Sequence, residues 1–121
     1  MIVLVTNNPL VIAQYSGGCN IEFLDTVLPG VLIHVRDCVH KGHKLLTHPL
    51  AGSIKPNETF YKSVLISGDT GIVDLQSLTI IEESIITAGK FPQKDIPDEY
   101  LHDLQMIDLS LIQSTLNQGG V

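Results

Sequence analysis

The chain lacks tryptophan, has only two cysteines and carries few basic side chains. Cys19 and Cys38 are too few for a disulfide framework or for a zinc site built from paired cysteines, so we expect a reducing cytoplasm as its compartment. Seven lysine and arginine residues against thirteen aspartate and glutamate residues give a formal net charge of −6. This acidic balance argues against a nucleic-acid binder or a basic protein of the membrane surface.

Long hydrophobic runs and the familiar phosphate-binding motifs are also missing. The start of the chain reaches the polar Asn7 after five apolar residues, which is too short for a signal peptide or a membrane span. No segment matches G-x-G-x-x-G, G-x-x-x-x-G-K-[ST] or G-x-S-x-G. These absences disfavour mononucleotide hydrolysis and the serine chemistry of α/β-hydrolases. We therefore expect neither a membrane nor a nucleic acid as a partner.

The residues that are present predict a sheet-containing domain with a sizeable core. Apolar residues make up 44% of the chain, and leucine, isoleucine and valine supply 40 of them. Alanine occurs only three times beside this large number of β-branched residues, which favours a domain that contains a sheet over a plain helical bundle. We expect a single α/β domain over residues 1–118 and a frayed tail at residues 119–121.

Hydrophobic spacing and the placement of proline and glycine define the expected elements. Proline at a first helical position and an aspartate N-cap predict helices that begin at Pro9, Pro29, Asp74 and Pro97, with Gly42 and Gly89 as helix ends. Short apolar runs predict strands at residues 2–6, 21–24, 44–47 and 62–67. Two alternatives stay open, namely that residues 62–67 extend a helix begun at Asn57 and that residues 78–81 form a strand.

The alternation of these strands and helices predicts the architecture. Strand–helix–strand units favour right-handed crossovers and parallel pairing. We expect a small three-layer α/β domain, with a mostly parallel sheet of about four strands and helices on both faces. In the last helix, an apolar stripe is expected to face inward and the acidic residues are expected to face outward. The stripe consists of Leu101, Leu104, Ile107 and Leu111, and the outward residues include Asp103 and Asp108.

Histidines concentrate in one part of the chain. Four of the five lie between residues 34 and 48. His40 and His43 have the spacing of a metal pair, but a helix that ends at Gly42 separates their faces, which favours solvated histidines at a helix C-terminus. His34 lies one helical turn from Cys38 and could polarise its thiol, although a cysteine on an apolar face is more often a core residue.

Polar residues follow two of the expected parallel strands, where such sheets bind ligands. The first group follows residues 2–6, and the second begins at Thr47 and continues into a long loop. Hydroxyl, amide, imidazole and ammonium groups are suitable donors to a small anion, and long ordered loops often carry sites. The alternative is that these residues only shape turns. The candidate ligand-binding residues are Asn7, Asn8, Thr47, His48, Ser53, Lys55 and Asn57.

Several of these segments resemble a known family. The segments are residues 5–11 (VTNNPLV), 35–37 (VRD), 40–53 (HKGHKLLTHPLAGS), 55–59 (KPNET) and 61–64 (YKSV). They look like the GrdX family, small proteins associated with the glycine reductase gene clusters of amino-acid-fermenting anaerobic bacteria. The resemblance covers most of residues 2–88. It implies a cytoplasmic protein linked to reductive glycine metabolism, in which a selenoenzyme complex makes acetyl phosphate, but it implies no activity and carries over no catalytic residue.

Three functional hypotheses follow. We favour a non-catalytic accessory or regulatory protein that needs no cofactor, docks on glycine reductase subunits or senses a small anion, with off-stripe Ile80 and Ile86 as a partner or homodimer surface. The alternative is a small enzyme acting on a carboxylate or acyl phosphate, with His48 as general acid/base and Lys55, Asn7 and Asn8 stabilising charge. The third and weaker hypothesis is a protective or metal-carrying role for His40, His43 and Cys38.

Overall fold

The computed structural model describes residues 1–52 and 54–117 of the chain. The tail expected to fray at residues 119–121 lies outside the described residues. The elements follow in the order β1 (Ile2–Thr6), α1 (Pro9–Tyr15), β2 (Asn20–Phe23), α2 (Leu28–His40), β3 (Ser63–Ser67), α3 (Leu75–Gly89), a 3-10 turn (Asp98–Tyr100) and α4 (Leu101–Leu116).

The described strands form one mixed sheet of three strands in the order β2-β1-β3. β1 pairs with β2 in parallel, with Leu4 beside Ile21, and with β3 in antiparallel fashion, with Leu4 opposite Leu65. The α/β class is therefore confirmed, and so is a strand rather than a helix at residues 63–67. The expected sheet of about four mostly parallel strands is wrong in strand number and in the direction of its last strand.

The segment at residues 44–47, expected to be a strand, makes only a single bridge, between Leu45 and Ile66. On either side of this bridge, side-chain hydroxyls rather than backbone carbonyls accept backbone N–H groups. Thr47 Oγ1 accepts the Leu65 N–H, and Ser67 Oγ accepts the Lys44 N–H. Since this bridge and the β1–β3 pairing are both antiparallel, the segment runs in the same direction as β1. The expected parallel direction of β1 and residues 44–47 is thus confirmed. The two segments do not pair with each other, however, because β3 lies between them.

Helices cover both faces of the sheet, because apolar side chains alternate along β1 and β3. On one face, Val5 and Ile66 pack with residues of α2 and α3, including Val35 and Ile81. On the other face, Leu4 and Leu65 pack with Val11 of α1 and Ile112 of α4. Within residues 1–52 and 54–117, no helix is long and apolar enough to cross a membrane.

Local capping signals predict the starts of α1 and α3, whereas the last helix, expected to begin at Pro97, begins as α4 at Leu101 after the 3-10 turn. The Asn8 side chain accepts the Leu10 N–H and Pro9 occupies the first turn of α1, while Asp74 accepts the Ser77 N–H at the start of α3. The helix across residues 78–81 is confirmed over the alternative strand. Gly42 follows α2 with a positive φ of 103°, a backbone conformation that favours glycine.

The last helix buries a different face from the expected one. Ile107 and Leu111, expected to face inward, are 42% and 39% exposed, whereas α4 buries Asp108 and Ile112. The expectation that Asp108 faces outward is therefore wrong. Its physical reason is that hydrogen-bond donors on β3 and at the start of α1 satisfy this carboxylate inside the protein.

Candidate functional site

Asn7, the first candidate after β1, ties three segments together from a position that is 5% exposed. Its Nδ2 donates to the carbonyl oxygens of Thr26 at 2.8 Å and Phe60 at 2.6 Å. Its Oδ1 accepts the backbone N–H of Lys62 at 2.8 Å. Both donors of the amide are therefore used within the protein, and Asn7 fixes the entry of the chain into β3.

Asn8 is fully buried and makes a comparable set of contacts. Its Oδ1 caps α1, and its Nδ2 donates to Gln105 O at 2.9 Å and to Asp108 Oδ2 at 3.0 Å. The amide therefore joins the start of α1 to the middle of α4. Ligand binding by Asn7 or Asn8 stays a prediction, and it would require these internal hydrogen bonds to be exchanged.

Asp108 is the centre of a buried polar cluster that connects α4 with the sheet. Its Oδ1 accepts the Ser63 N–H at 3.0 Å, and its Oδ2 accepts the Ser63 hydroxyl at 2.7 Å as well as the Asn8 amide. Thr6 Oγ1 lies 2.7 Å from Ser63 Oγ and accepts the Asn8 backbone N–H. A carboxylate that is only 5% exposed is thus satisfied by three donors.

Lys62, the residue before Ser63, brings a positive charge into the same region. The Lys62 residue is 7% exposed, and its Nζ donates to the Ala51 carbonyl at 2.8 Å. Burial lowers the pKa of the Lys62 ammonium, and the Asp108 charge opposes that shift. None of the ion pairs found among the described residues includes Lys62. A buried cation is therefore held here without a carboxylate in direct contact.

Lys62 and Asp108 line a cleft between the loop after residue 48 and α4. Its cavity volume is about 30 Å³, which is room for roughly two waters. The walls combine a few polar groups with many apolar side chains, as small-molecule sites do. Besides Lys62 and Asp108, the lining consists of Leu28, Leu50, Ala51, Gly52, Ile54, Pro56, Thr59, Tyr61, Leu104, Ile107 and Leu111.

None of the candidate residues that the structure describes is part of the lining of this cleft. Thr47 holds the edge of β3, and the exposed His48 accepts the Leu50 N–H on its Nδ1 at 3.1 Å. Lys55 is exposed, and Asn57 donates to Pro92 O at 2.8 Å. The predicted Ser53 lies outside the described residues. No catalytic arrangement centred on His48 is supported by these contacts.

Sequence reasoning did not select Lys62 and Asp108. For Asp108 a signal existed, because Leu104, Asp108 and Ile112 recur at helical spacing and an acidic residue in such a stripe needs buried partners. For Lys62 the signal was weaker, namely a lysine directly before an apolar strand. The two predicted polar corners do leave the same edge of the sheet, but β3 begins between them, with Lys62 directly before the strand and Ser63 as its first residue.

The histidines near residue 40 do not gather around Cys38. His40 is exposed, and the Nδ1 of His43 lies 2.6 Å from Ser67 O. Across residues 1–52 and 54–117, the group of potential metal ligands that come together consists instead of Glu22, His34 and Cys38. A metal site at His40 and His43 is thus unsupported by their positions.

Comparison with known proteins decides the family. The model of the GrdX-like protein family matches residues 3–117. The chain belongs to this family. The region that matches the GrdX-like family is longer than the segments that carried the resemblance. It includes α4, and therefore Asp108. No curated protein and no solved structure gives a significant match.

Proposed function

We propose that this GrdX-like protein is an accessory or regulatory protein of glycine reductase metabolism that binds a small anion beside Lys62. The observation that carries the proposal is the burial of the Lys62 ammonium without a carboxylate in direct contact. The family name supports the metabolic link. A cytoplasmic location belongs to the same proposal.

The electrostatics of the cleft favour an anion over a neutral ligand. Removing an ammonium from water is costly, and a bound anion offsets that cost by direct pairing. The apolar walls reduce the local dielectric constant and so strengthen the attraction. Asp108 lines the same cleft and repels additional negative charge. A monoanion such as a carboxylate therefore fits better than a compact dianion.

Binding is tested by thermal unfolding and calorimetry with acetate, acetyl phosphate, inorganic phosphate and glycine. At a ligand concentration of 100 times Kd we expect a stabilisation of about 2.7 kcal/mol. Lys62→Met should abolish the shift because the charge is gone, whereas Lys90→Met, a change in an exposed lysine, should retain it. The proposal is wrong if none of the four compounds binds, or if Lys62→Met binds as tightly as the unmodified protein.

Lys62 should also make the stability of the ligand-free protein depend on alkaline pH. Because burial lowers its pKa below about 10.5, the unfolded chain binds this proton more tightly than the folded protein does. Below the folded pKa the buried ammonium destabilises the fold in full, and the penalty shrinks as pH rises toward 10.5. The free energy of unfolding should therefore rise relative to Lys62→Met over that range. Urea unfolding of both proteins from neutral to alkaline pH measures it, and a constant difference would contradict the shift.

The proposal also includes a binding partner, namely the subunits of glycine reductase. Ile86 on α3 is 60% exposed and offers an apolar contact that the fold does not use. Co-purification with those subunits should be weakened by Ile86→Glu and retained by Thr87→Glu, a charge at the neighbouring exposed position. Loss of self-association rather than of subunit binding would instead indicate that this face joins two copies of the chain.

A further inference from the structure

A second group of chemically active side chains lies on the opposite side of the sheet from α4. His34 and Cys38 stand four residues apart on α2 and therefore share a face. Glu22 of β2 lies beside Val5 of β1, whose side chain packs in the core with α2, so Glu22 is on the sheet face that α2 covers. The edge strand and the helix thus present a carboxylate, an imidazole and a thiol to one point.

The geometry of these three groups suits a small metal ion. His34 Nε2 lies 3.2 Å from Glu22 Oε2, and one potential ligand atom from each of the three residues lies within 4.8 Å of the others. Zinc bonds of about 2.0–2.3 Å to oxygen, nitrogen and sulfur place neighbouring ligand atoms of a tetrahedron roughly 3.3–3.8 Å apart. The distance between Glu22 and His34 already suits such a site, and separations near the 4.8 Å limit would have to shorten by roughly 1 Å. Little movement of the side chains is therefore needed to bring all three into contact with one ion.

We propose that Glu22, His34 and Cys38 form a site for Zn²⁺, with a water molecule as the fourth ligand. Thiolate and imidazole ligands favour zinc over magnesium and calcium, which prefer sites made of oxygen atoms only. The ion can enter from solvent, because the side chains of His34 and Glu22 are 34% and 48% exposed. Cys38, at 6% exposure, forms the floor of the site.

Zn²⁺ binding requires the Cys38 thiol to ionise, because the thiolate is the form of cysteine that ligates a metal. On binding, Zn²⁺ forms a bond to Sγ and the thiol proton passes to solvent, so one proton is released per ion. The negative charges of Glu22 and of the thiolate then balance the two charges of the ion.

Titration of the reduced protein with Co²⁺ and Zn²⁺ tests the site. We expect one ion per chain, a thiolate-to-cobalt charge-transfer band, and displacement of cobalt by zinc. Cys38→Ser should abolish the band, and Cys19→Ser, at the other cysteine, should leave it unchanged. Glu22→Gln and His34→Gln should each weaken zinc binding at least about tenfold, since even outer-shell partners contribute that much. His40→Gln on the same helix should have no effect.

Several results would overturn this site. These are absence of the charge-transfer band in the unmodified protein, its persistence in Cys38→Ser, or its loss in Cys19→Ser. Circular dichroism checks the fold of each variant. If Cys38→Ser fails to fold, the variants Glu22→Gln and His34→Gln still test the site, because they change side chains that are partly exposed. Lys62→Met should bind cobalt normally, because the two sites are independent.

Discussion

Replacing Asp108 with alanine is expected to lower the free energy of unfolding by about 3–5 kcal/mol, the largest effect of any single change in the polar cluster. The substitution leaves the Ser63 backbone N–H, the Ser63 hydroxyl and one hydrogen of the Asn8 amide without their acceptor. Each is held between β3, α1 and α4, where water has little access. It also removes the charge that opposes the lowered pKa of Lys62.

Urea unfolding measures this effect, and Asp103→Ala is its matched control. Asp103 lies on the same helix but is exposed, so its removal should change stability by less than about 0.5 kcal/mol. Asp108→Asn should fall between the two, because it keeps one carbonyl acceptor and the shape of the side chain. Equal stability of Asp108→Ala and Asp103→Ala would contradict the assignment of Asp108 as the centre of the cluster.

Gly42→Ala is expected to produce the second large loss, about 2–5 kcal/mol. Gly42 has a φ of 103°, where an L-side chain is strained, and a Cβ there would collide with the backbone of Gly71. The contact is between two backbone segments, so neither can yield as a flexible side chain would. The Gly71 N–H also donates to Lys41 O at 3.1 Å, and this bond should break.

Gly17→Ala separates the two causes of that loss. Gly17 has a similar φ of 89°, but a Cβ there meets no other atom within 4 Å. Only backbone strain is then added, and we expect a loss of about 1–2 kcal/mol. If the two alanine variants unfold at the same urea concentration, the collision of the added Cβ with Gly71 does not contribute to the loss in Gly42→Ala.

The sequence predicts most of the helices because their signals are local. Pro9 and the Asn8 cap fix the start of α1, and Asp74 fixes that of α3. The direction of β3 has no local signal, since a strand of the same composition can pair in either sense. It depends on the connection at residues 41–62, whose described residues (41–52 and 54–62) form no helix, and on Asn7, which accepts the Lys62 N–H across the chain.

The sequence could predict at which edge of the sheet the candidate site lies, but not which side chains line it. Polar residues after β1 and around Thr47 do mark the correct edge of the sheet, because the chain leaves both segments there. Which side chains serve structure and which face the cleft depends on tertiary hydrogen bonds. Asn7 and Asn8 make such bonds, whereas Lys62 and Asp108 belong to residue types that are most often exposed and were therefore passed over.

The pKa of Lys62 tests most directly the proposal that its buried ammonium binds an anionic ligand. An NMR titration that follows the Lys62 side-chain carbon next to Nζ gives that pKa with and without saturating acetate or acetyl phosphate. We predict a value below 10.5 in the ligand-free protein and an increase on adding at least one of the two, because a paired anion stabilises the ammonium. A pKa that stays unchanged with both compounds would contradict the claim.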